Sequence, residues 1–331
     1  TILWQNKKIS NFDYLMILNI LSGRSFNDPS QYPFLPWILK DYTSDKLDLN
    51  NPEIYRDLSK PVGTLGKEKF EQLKRSMEGF PYLFSSGNVS PLIVFLWLVR
   101  VEPFTTLQIK DQGGSFEAPD RQFKSIEEAY HSVLTLSSDF RELIPEFFFQ
   151  PEFLVNMNNF DLGIANDKKV NDVELPKWIK TESKNQIVAA YEFIYMHRKA
   201  LESDHVSAHL NEWIDLVWGD KSRGQKAIES NNVYSPEMYP EIWESESEIE
   251  LEDNIPAIEA ILSYVGQMPV QLFDKPHPQR CCNVDKTVLD NIIVYQTRTQ
   301  KCKINVGAII FISDMKTIAF LTINENGACS E

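Results

Sequence analysis

Apolar residues recur at helical spacing in several segments of the chain, and each segment is bounded by residues that begin or end helices. In the clearest segment, Ser10 can cap the first turn, Asp13 stands where a capping box has an acid, and Gly23 favours a stop. One face of this helix consists of Phe12, Leu15, Met16 and Asn19. The predicted helices are Ser10–Ser22, Lys67–Met77, Ser125–Leu136, Gln186–His205 with Val206–Trp218 as two helices or one bent helix, and Asn254–Val265.

Long apolar segments between these helices lack a regular period. Tyr32–Trp37 holds two prolines among aromatic residues, which favours extended chain whose backbone groups are satisfied by side chains. Glu142–Gly163 is equally apolar and irregular, which is uncommon in simple helical bundles. Pro91–Val99 is the longest apolar run, but a membrane span needs about 20 such residues, so we predict a core segment. The predicted fold is mainly α, a large helical domain with irregular chain segments in its core.

The pattern changes near residues 280–285. Beyond this point, apolar β-branched runs such as Val306–Ile312 and Thr317–Ile323 predict short strands of a different module. We therefore expect two parts: a helical domain over residues 1–282 and a short β-rich C-terminal tail over residues 283–331.

Composition and charge narrow the functional classes. Hydrophobic residues make up 43% of the chain and charged residues 24%, which is ordinary for a globular protein. The net charge of −14 repels nucleic-acid phosphates and anionic lipid headgroups, so direct binding of either is disfavoured. All four cysteines lie beyond residue 280, so we predict no disulfide framework in the helical domain and a reducing cytosol as the compartment. The chain begins at Thr1 without a signal-like segment, and we expect it to be part of a longer protein.

The motifs that could carry chemistry are weak. His205 and His209 have the i, i+4 spacing that can ligate zinc, but the metalloprotease motif needs Glu where Val206 stands. Ser203, Asp204 and His205 are the residue types of a hydrolase triad, yet adjacent helical residues point in different directions. We therefore predict no catalytic residue, no metal site and no cofactor, and interpret the two histidines as helix-face residues.

Aromatic, proline and charged residues form a long series of sequence blocks between residues 4 and 280. These blocks are Trp4 with Ile9–Leu15 and Asn19, Gly23–Asp28, Gln31–Trp37, Tyr55–Pro61, Val99–Thr105, Asp120–Phe123, Asp139–Phe148, Pro151–Leu154, Phe160–Gly163, Leu175–Pro176, Trp178, Arg198–Ser203, Trp213–Leu216, Gly219, Arg223–Gly224, Gly266–Pro269, Gln271–Phe273 and Pro276–Arg280. In order and in spacing they resemble the BEACH family, the domain named after the beige and Chediak–Higashi proteins. The segment Tyr82–Gly87, together with Ile179 and Trp218, departs from the family pattern, so we expect a divergent member.

The resemblance implies a BEACH-type fold and a non-catalytic scaffold that acts in membrane trafficking: vesicle fusion or fission, control of lysosome size, or cargo sorting. It implies a preceding pleckstrin-like domain and following WD40 repeats, of which the tail would be the start. Further implied features are trafficking proteins as partners, no nucleic acid, and a cytoplasmic location with peripheral association with endosomal or lysosomal membranes. The residues expected at the pleckstrin-like interface are Trp4, Arg24, Tyr32 and Arg56.

Two questions stay open at this point. A hydrolase or a lipid-binding module with an unrecognised site is the alternative to the scaffold. The matched arginines, in addition, could either satisfy carbonyls and pair with Asp28, Asp57 or Asp215 inside the domain, or be exposed for recognition. These arginines are Arg24, Arg56, Arg121, Arg141 and Arg223.

Overall fold

The computed structural model describes residues 1–76, 82–114, 116, 119–165, 167–181, 185–244 and 260–280, and the backbone of three strands beyond residue 305. Most of the regular structure is helical, as predicted, and no single helix is longer than 16 residues within the described ranges. The α-helices are α1 (Ile2–Gln5), α2 (Asn11–Leu21), α3 (Lys67–Ser76), α4 (Pro91–Trp97), α5 (Phe104–Asp111), α6 (Ile126–Thr135), α7 (Gln186–Leu201), α8 (Asp204–Val217), α9 (Gly224–Glu229) and α10 (Pro240–Glu244).

Short 3₁₀ turns and one small hairpin complete this part of the chain. The hairpin pairs β1 (Ile164–Ala165) with β2 (Lys168–Lys169) in antiparallel register. Several of the turns begin with proline, whose fixed φ suits the first position of a helical turn. The 3₁₀ turns are Pro29–Gln31, Pro52–Ile54, Val62–Thr64, Pro119–Arg121, Pro145–Phe148, Pro151–Leu154 and Pro236–Met238.

The start of α2 is capped twice. The Ser10 hydroxyl accepts a hydrogen bond from the Asp13 backbone N–H at 3.0 Å and donates to the Asp13 carboxylate at 2.6 Å. The buried carboxylate of Glu202 accepts the backbone N–H groups of Asn11 at 2.8 Å and Phe12 at 3.0 Å. These are N–H groups that a helix cannot satisfy internally, and a negative charge there also complements the helix dipole. The predicted helix is confirmed, and a distant residue completes its first turn.

The predicted division between α7 and α8 was misplaced. We expected the break after His205, whereas α7 ends at Leu201 and α8 begins at Asp204. The cause is Ser203, whose hydroxyl accepts the backbone N–H of Val206 at 3.2 Å and so caps α8. The predicted helix Asn254–Val265 lies partly outside the described residues, and residues 260–265 of it are helical.

Extended chain passes through the core, as the proline-bound segment predicted. The side-chain amide of Asn19 brackets Phe34, donating to its carbonyl at 3.0 Å and accepting from its N–H at 3.0 Å. Leu35 exchanges backbone hydrogen bonds with Leu143 at 2.7 and 3.0 Å. The buried backbone of Phe34 and Leu35 therefore finds its partners in a side chain and in an isolated bridge.

Aromatic rings fill the centre of the domain. Trp97 lies 4.6 Å from Phe123 and 4.9 Å from Phe147, and Phe147 lies 4.8 Å from Phe153, measured between ring centroids. Edge-to-face contacts of this kind add to the free energy gained from burying the apolar area. One continuous hydrophobic cluster extends from Trp4 to Met268 through the described residues.

Arg280 fastens the C-terminal end of this body to its N-terminal end. Its guanidinium donates to the carbonyls of Trp4 at 3.0 Å and Ile9 at 2.7 Å, and to the Asn11 side-chain oxygen at 2.6 Å. The side chain is 6% exposed, so these bonds replace the water that it would otherwise hold. The two ends of the helical domain are therefore parts of one packed body.

The predicted β-rich tail falls largely outside the described residues. Beyond residue 305 the structure describes the backbone of β3 (Val306–Phe311), β4 (Ile318–Ile323) and β5 (Cys329–Ser330), which pair in the order β3-β4-β5. The domain boundary at residues 282 and 283 and the tail as the start of a propeller stay predictions.

Candidate partner-docking surface

One side of α2 carries apolar side chains that nothing in the described part of the chain covers. Ile17, Ile20 and Leu21 are 42%, 65% and 66% exposed. Their i, i+3, i+4 spacing places them side by side on the helix surface. The opposite side of α2, including Leu15 and Leu18, is buried in the core. The helix is therefore apolar on both sides, which is typical of a helix held between two bodies.

Exposed apolar residues are concentrated at the start of the chain. Of the 18 large apolar side chains that are exposed in the described residues, six lie within residues 1–26. A single exposed apolar residue needs no explanation, whereas neighbouring ones such as Ile17, Ile20 and Leu21 on one helix side are typical of an interaction surface. The six are Ile2, Leu3, Ile17, Ile20, Leu21 and Phe26.

The chain leaves α2 through a turn that presents Phe26. Gly23 has φ +86°, a conformation that favours glycine, and directs the chain away from the helix. The Phe26 ring is 45% exposed and contacts the buried Tyr32 ring edge-on at 5.4 Å. We call Ile17, Ile20, Leu21 and Phe26 the α2 surface.

Tyr32 and Glu146 form a fixed pair beneath Phe26. The Tyr32 hydroxyl donates to one Glu146 carboxylate oxygen at 2.6 Å, and both residues are buried. Burial raises the pKa of Glu146 to about 7, although the hydrogen bond from Tyr32 acts in the opposite direction. Desolvation therefore dominates, because a carboxylate with one strong donor has lost most of its water.

Arg24 anchors the turn from below. Its guanidinium donates to the carbonyl of Tyr32 at 2.8 Å and to that of Gln267, and it lies 4.6 Å from the centroid of the Phe34 ring. Burial lowers its pKa to about 9, and the nearby Asp28 carboxylate opposes this shift. Arg24 thus joins the loop after α2 to the segment that follows residue 265. This is the structural one of the two roles considered for the matched arginines.

A shallow cavity of about 320 Å³ adjoins this turn. It lies between the 3₁₀ turn Pro29–Gln31, the start of α4 and residues 260–265. Leu92 and Tyr264, two of its lining residues, are 38% and 65% exposed. The cavity adds exposed apolar side chains close to the loop that follows α2.

The side chain of Trp4, in the middle of α1, is buried. Its indole N–H donates to the Asn11 side-chain oxygen at 2.8 Å, and its ring stacks on Tyr14 at 4.9 Å. The side chains of Ile2 and Leu3, by contrast, are 73% and 60% exposed. Trp4 therefore holds α1 in place, and its neighbours along the chain face outward.

Arg56 lies at the centre of the core. Its Nη1 group donates to both oxygens of Glu142, at 2.8 and 2.7 Å, and its Nη2 group donates to the Lys60 carbonyl at 3.1 Å. Asp57, one of the aspartates considered as partners for the matched arginines, instead pairs with Lys60 at 2.8 Å on the surface. The partner of Arg56 is 86 residues away along the chain, which sequence adjacency could not reveal.

All four residues predicted at a domain interface are therefore buried by the chain itself. Trp4 is 0% exposed, Arg24 4%, Tyr32 2% and Arg56 2%. Their contact with another domain stays a prediction. The structure identifies exposed neighbours of these residues that were not predicted from the sequence. The signal that could have found them is the presence of apolar residues on both sides of α2.

The three residues considered for a hydrolase triad each contact a different partner. Ser203 caps α8, Asp204 pairs with Lys7 at 3.4 Å, and His205 stacks on Tyr55 at 4.5 Å between centroids. Within the described ranges, no cluster of three or more His, Cys, Asp or Glu side chains could hold a metal ion. The same ranges contain no helix with the length and hydrophobicity to cross a bilayer.

Comparison with known proteins agrees with the resemblance seen in the sequence. The family model described as "Beige/BEACH domain" matches residues 2–280. The chain is 42% identical over 287 residues to "BEACH domain-containing protein B" of Arabidopsis thaliana, which covers 84% of the chain and 11% of that protein. It is 43% identical over 295 residues to "Beige protein homolog 1" of Saccharomyces cerevisiae, covering 86% of the chain and 13% of that protein. The chain thus spans only a small part of the relatives' lengths, and over residues 2–280 it belongs to the Beige/BEACH domain family.

Proposed function

We propose that this domain is a non-catalytic scaffold module of a larger protein that acts in membrane trafficking, and that it binds other protein domains through the α2 surface. The observation that carries the proposal is the side of α2 on which Ile17, Ile20 and Leu21 are exposed. Fully burying an exposed side chain of this size contributes about 1.5–3 kcal/mol. These side chains are 42–66% exposed, so a partner that covered them would gain about half of that from each.

The surface suits a protein partner better than a membrane. It is apolar at its centre, and its anchoring residues Arg24 and Tyr32 are buried and already bonded to carbonyl and carboxylate groups. The chain carries a net charge of −14, which opposes approach to anionic lipid. A rigid apolar face of this kind resembles one half of an interface between domains.

The proposed partners follow from the family. A preceding pleckstrin-like domain would cover the α2 surface, and WD40 repeats would follow the helical domain. Trafficking proteins would bind the assembled unit, which would be cytoplasmic and associate peripherally with endosomal or lysosomal membranes. The two relatives are far longer than the matched region, as such an arrangement of domains requires.

A cell-based rescue experiment tests this function. The full-length protein with Ile20→Lys and Leu21→Lys should fail to restore vesicle traffic or lysosome size in cells that lack it. Lysine is compatible with the last turn of α2, because a cation there complements the helix dipole, so the variant should stay folded. The matched control is Ile228→Lys on α9, where the wild-type side chain is 58% exposed. Full rescue by the α2 variant at normal abundance would contradict the proposal.

A further inference from the structure

A second, larger cleft lies along α6, away from the α2 surface. It has a volume of about 670 Å³ and lies between α6 and the extended chain at residues 40–43. None of its lining residues belongs to the α2 surface. We call it the α6 cleft; it is lined by Lys40, Tyr42, Thr43, Glu127, Glu128, Tyr130, His131, Ser132, Leu134, Thr135 and Leu136.

The floor of the α6 cleft is aromatic and fixed. Tyr42 and Tyr130 are 1% and 6% exposed, and their ring centroids are 5.1 Å apart. The Tyr42 hydroxyl hydrogen-bonds to the Nε2 atom of His197 at 3.1 Å, and both tyrosine rings contact Trp37. The two rings are almost fully buried, so they give the cleft a fixed, preformed floor but little accessible area of their own.

One wall of the α6 cleft is an exposed leucine. Leu136 follows α6 directly and is 54% exposed, and Leu134 is half-buried beside it. The accessible apolar area of the cleft is therefore at Leu136, with Leu134 beside it, above the buried tyrosine floor. An apolar residue is therefore the best complement to the centre of this cleft.

The rim is acidic at the start of α6. Glu127 and Glu128 lie in the first turn of the helix. Glu128 pairs with Lys124 at 3.3 Å, whereas Glu127 forms no ion pair within the described residues. The Lys40 amine on the other side lies 3.7 Å from Glu53 and is thus already paired. The charge left without a partner is negative, and the net charge of the chain has the same sign.

We propose that the α6 cleft binds a short basic segment of a partner protein. In this complex one leucine or aromatic side chain lies against Leu136 and Leu134, and a lysine or arginine pairs with Glu127. The proposal deepens the scaffold function, on which it rests, by assigning a second binding site and the chemistry of its ligand. A peptide fits better than an enclosed small molecule, because the cleft is open to solvent along α6 and would cover only one side of a ligand.

Selection from a random peptide library on the 331-residue chain tests the proposal. The enriched peptides should combine a leucine or aromatic residue with a nearby lysine or arginine. A fluorescein-labelled peptide from that set should lose at least roughly tenfold in affinity with Leu136→Ser and with Glu127→Lys. Exchange of its basic residue for glutamate should restore binding to the Glu127→Lys variant. Thermal melting of both variants should match wild type, because both positions are exposed.

The matched controls are Ile228→Lys and Ile20→Lys, which should leave peptide affinity unchanged. Enrichment of acidic peptides, no enrichment, or equal binding to wild type and the Glu127→Lys variant would overturn the proposal. Loss of binding with Ile20→Lys alone would place the peptide on the α2 surface. That result would reject the α6 cleft and leave the proposed scaffold function intact.

Discussion

Replacing Glu142 with glutamine removes one charge from a buried ion pair and leaves the size of the side chain unchanged. The Glu142 side chain is 2% exposed and that of Arg56 is 0% exposed. Besides Arg56, the carboxylate accepts the backbone N–H of Trp37 at 2.9 Å and the indole N–H of Trp213 at 3.1 Å. Glu142→Gln therefore leaves the Arg56 charge buried without its counter-charge, and it turns one acceptor oxygen into an NH₂ donor.

The expected cost is large because each remaining group stays buried. Removing one partner of a buried ion pair costs about 3–5 kcal/mol, most of which is the desolvation of the charge left behind. An NH₂ group that faces the Trp37 or Trp213 N–H adds an unsatisfied donor, worth about 1–3 kcal/mol. A typical domain unfolds at about 5–15 kcal/mol, so Glu142→Gln should remove a large part of the total stability.

Guanidinium denaturation followed by tryptophan fluorescence measures this loss. The matched control is Asp57→Asn, which also replaces the carboxylate of an ion pair by an amide, but this pair with Lys60 lies on the surface, with 46% and 58% of the two side chains exposed. Exposed pairs contribute about 0–1 kcal/mol, so the control should shift the midpoint little. Arg56→Leu combined with Glu142→Leu should cost less than the sum of the two single changes. If Glu142→Gln cost no more than Asp57→Asn, the reasoning about this pair would be refuted.

Three further outcomes follow from the same structure. Burial raises the pKa of Glu146 from 4.5 to about 7, so this group stabilises the fold below pH 4.5 and that contribution is lost as the pH rises to about 7. Glutamine does not titrate, so Glu146→Gln should not show this loss. In denaturation at a series of pH values, the unfolding free energy of the variant minus that of wild type should therefore rise by about 3 kcal/mol between pH 4.5 and 7. A difference that does not change with pH would contradict this. Ser203→Ala should cost about 1 kcal/mol in thermal unfolding because α8 loses its cap, whereas Ser203→Asp should be near neutral; equal effects would show that the cap contributes nothing. Asn19→Leu should cost about 1–3 kcal/mol for each orphaned backbone group of Phe34 in chemical denaturation, and a change below 1 kcal/mol would reject the bracketing role of Asn19.

Local signals in the sequence predicted local structure well. The cap at Ser10, the stop at Gly23 and the extended conformation of Tyr32–Trp37 depend on neighbouring residues, and the structure confirms each of them. The predicted break between α7 and α8 was misplaced because Ser203, which caps α8, was included in the predicted helix Gln186–His205.

Pairings between distant residues could not be predicted. Nothing near Arg56 in the sequence indicates Glu142, and nothing near α2 indicates that Glu202 completes its first turn. The same limit affected the candidate site, since Trp4 and Arg24 belong to sequence blocks that match the family but are buried. The exposed residues lie between these buried residues along the chain. Only the packing of the fold determines which side chains are exposed and which are buried.

Site-specific photo-cross-linking tests the central claim, that α2 presents a protein-binding surface, most directly. A benzophenone amino acid at position 20 of the full-length protein in cells should form a cross-link to protein outside residues 1–331, either within the same polypeptide or in a partner. The same group in place of Ile228 should not form that product. Cross-links to lipid alone, or the same products from both positions, would contradict the account.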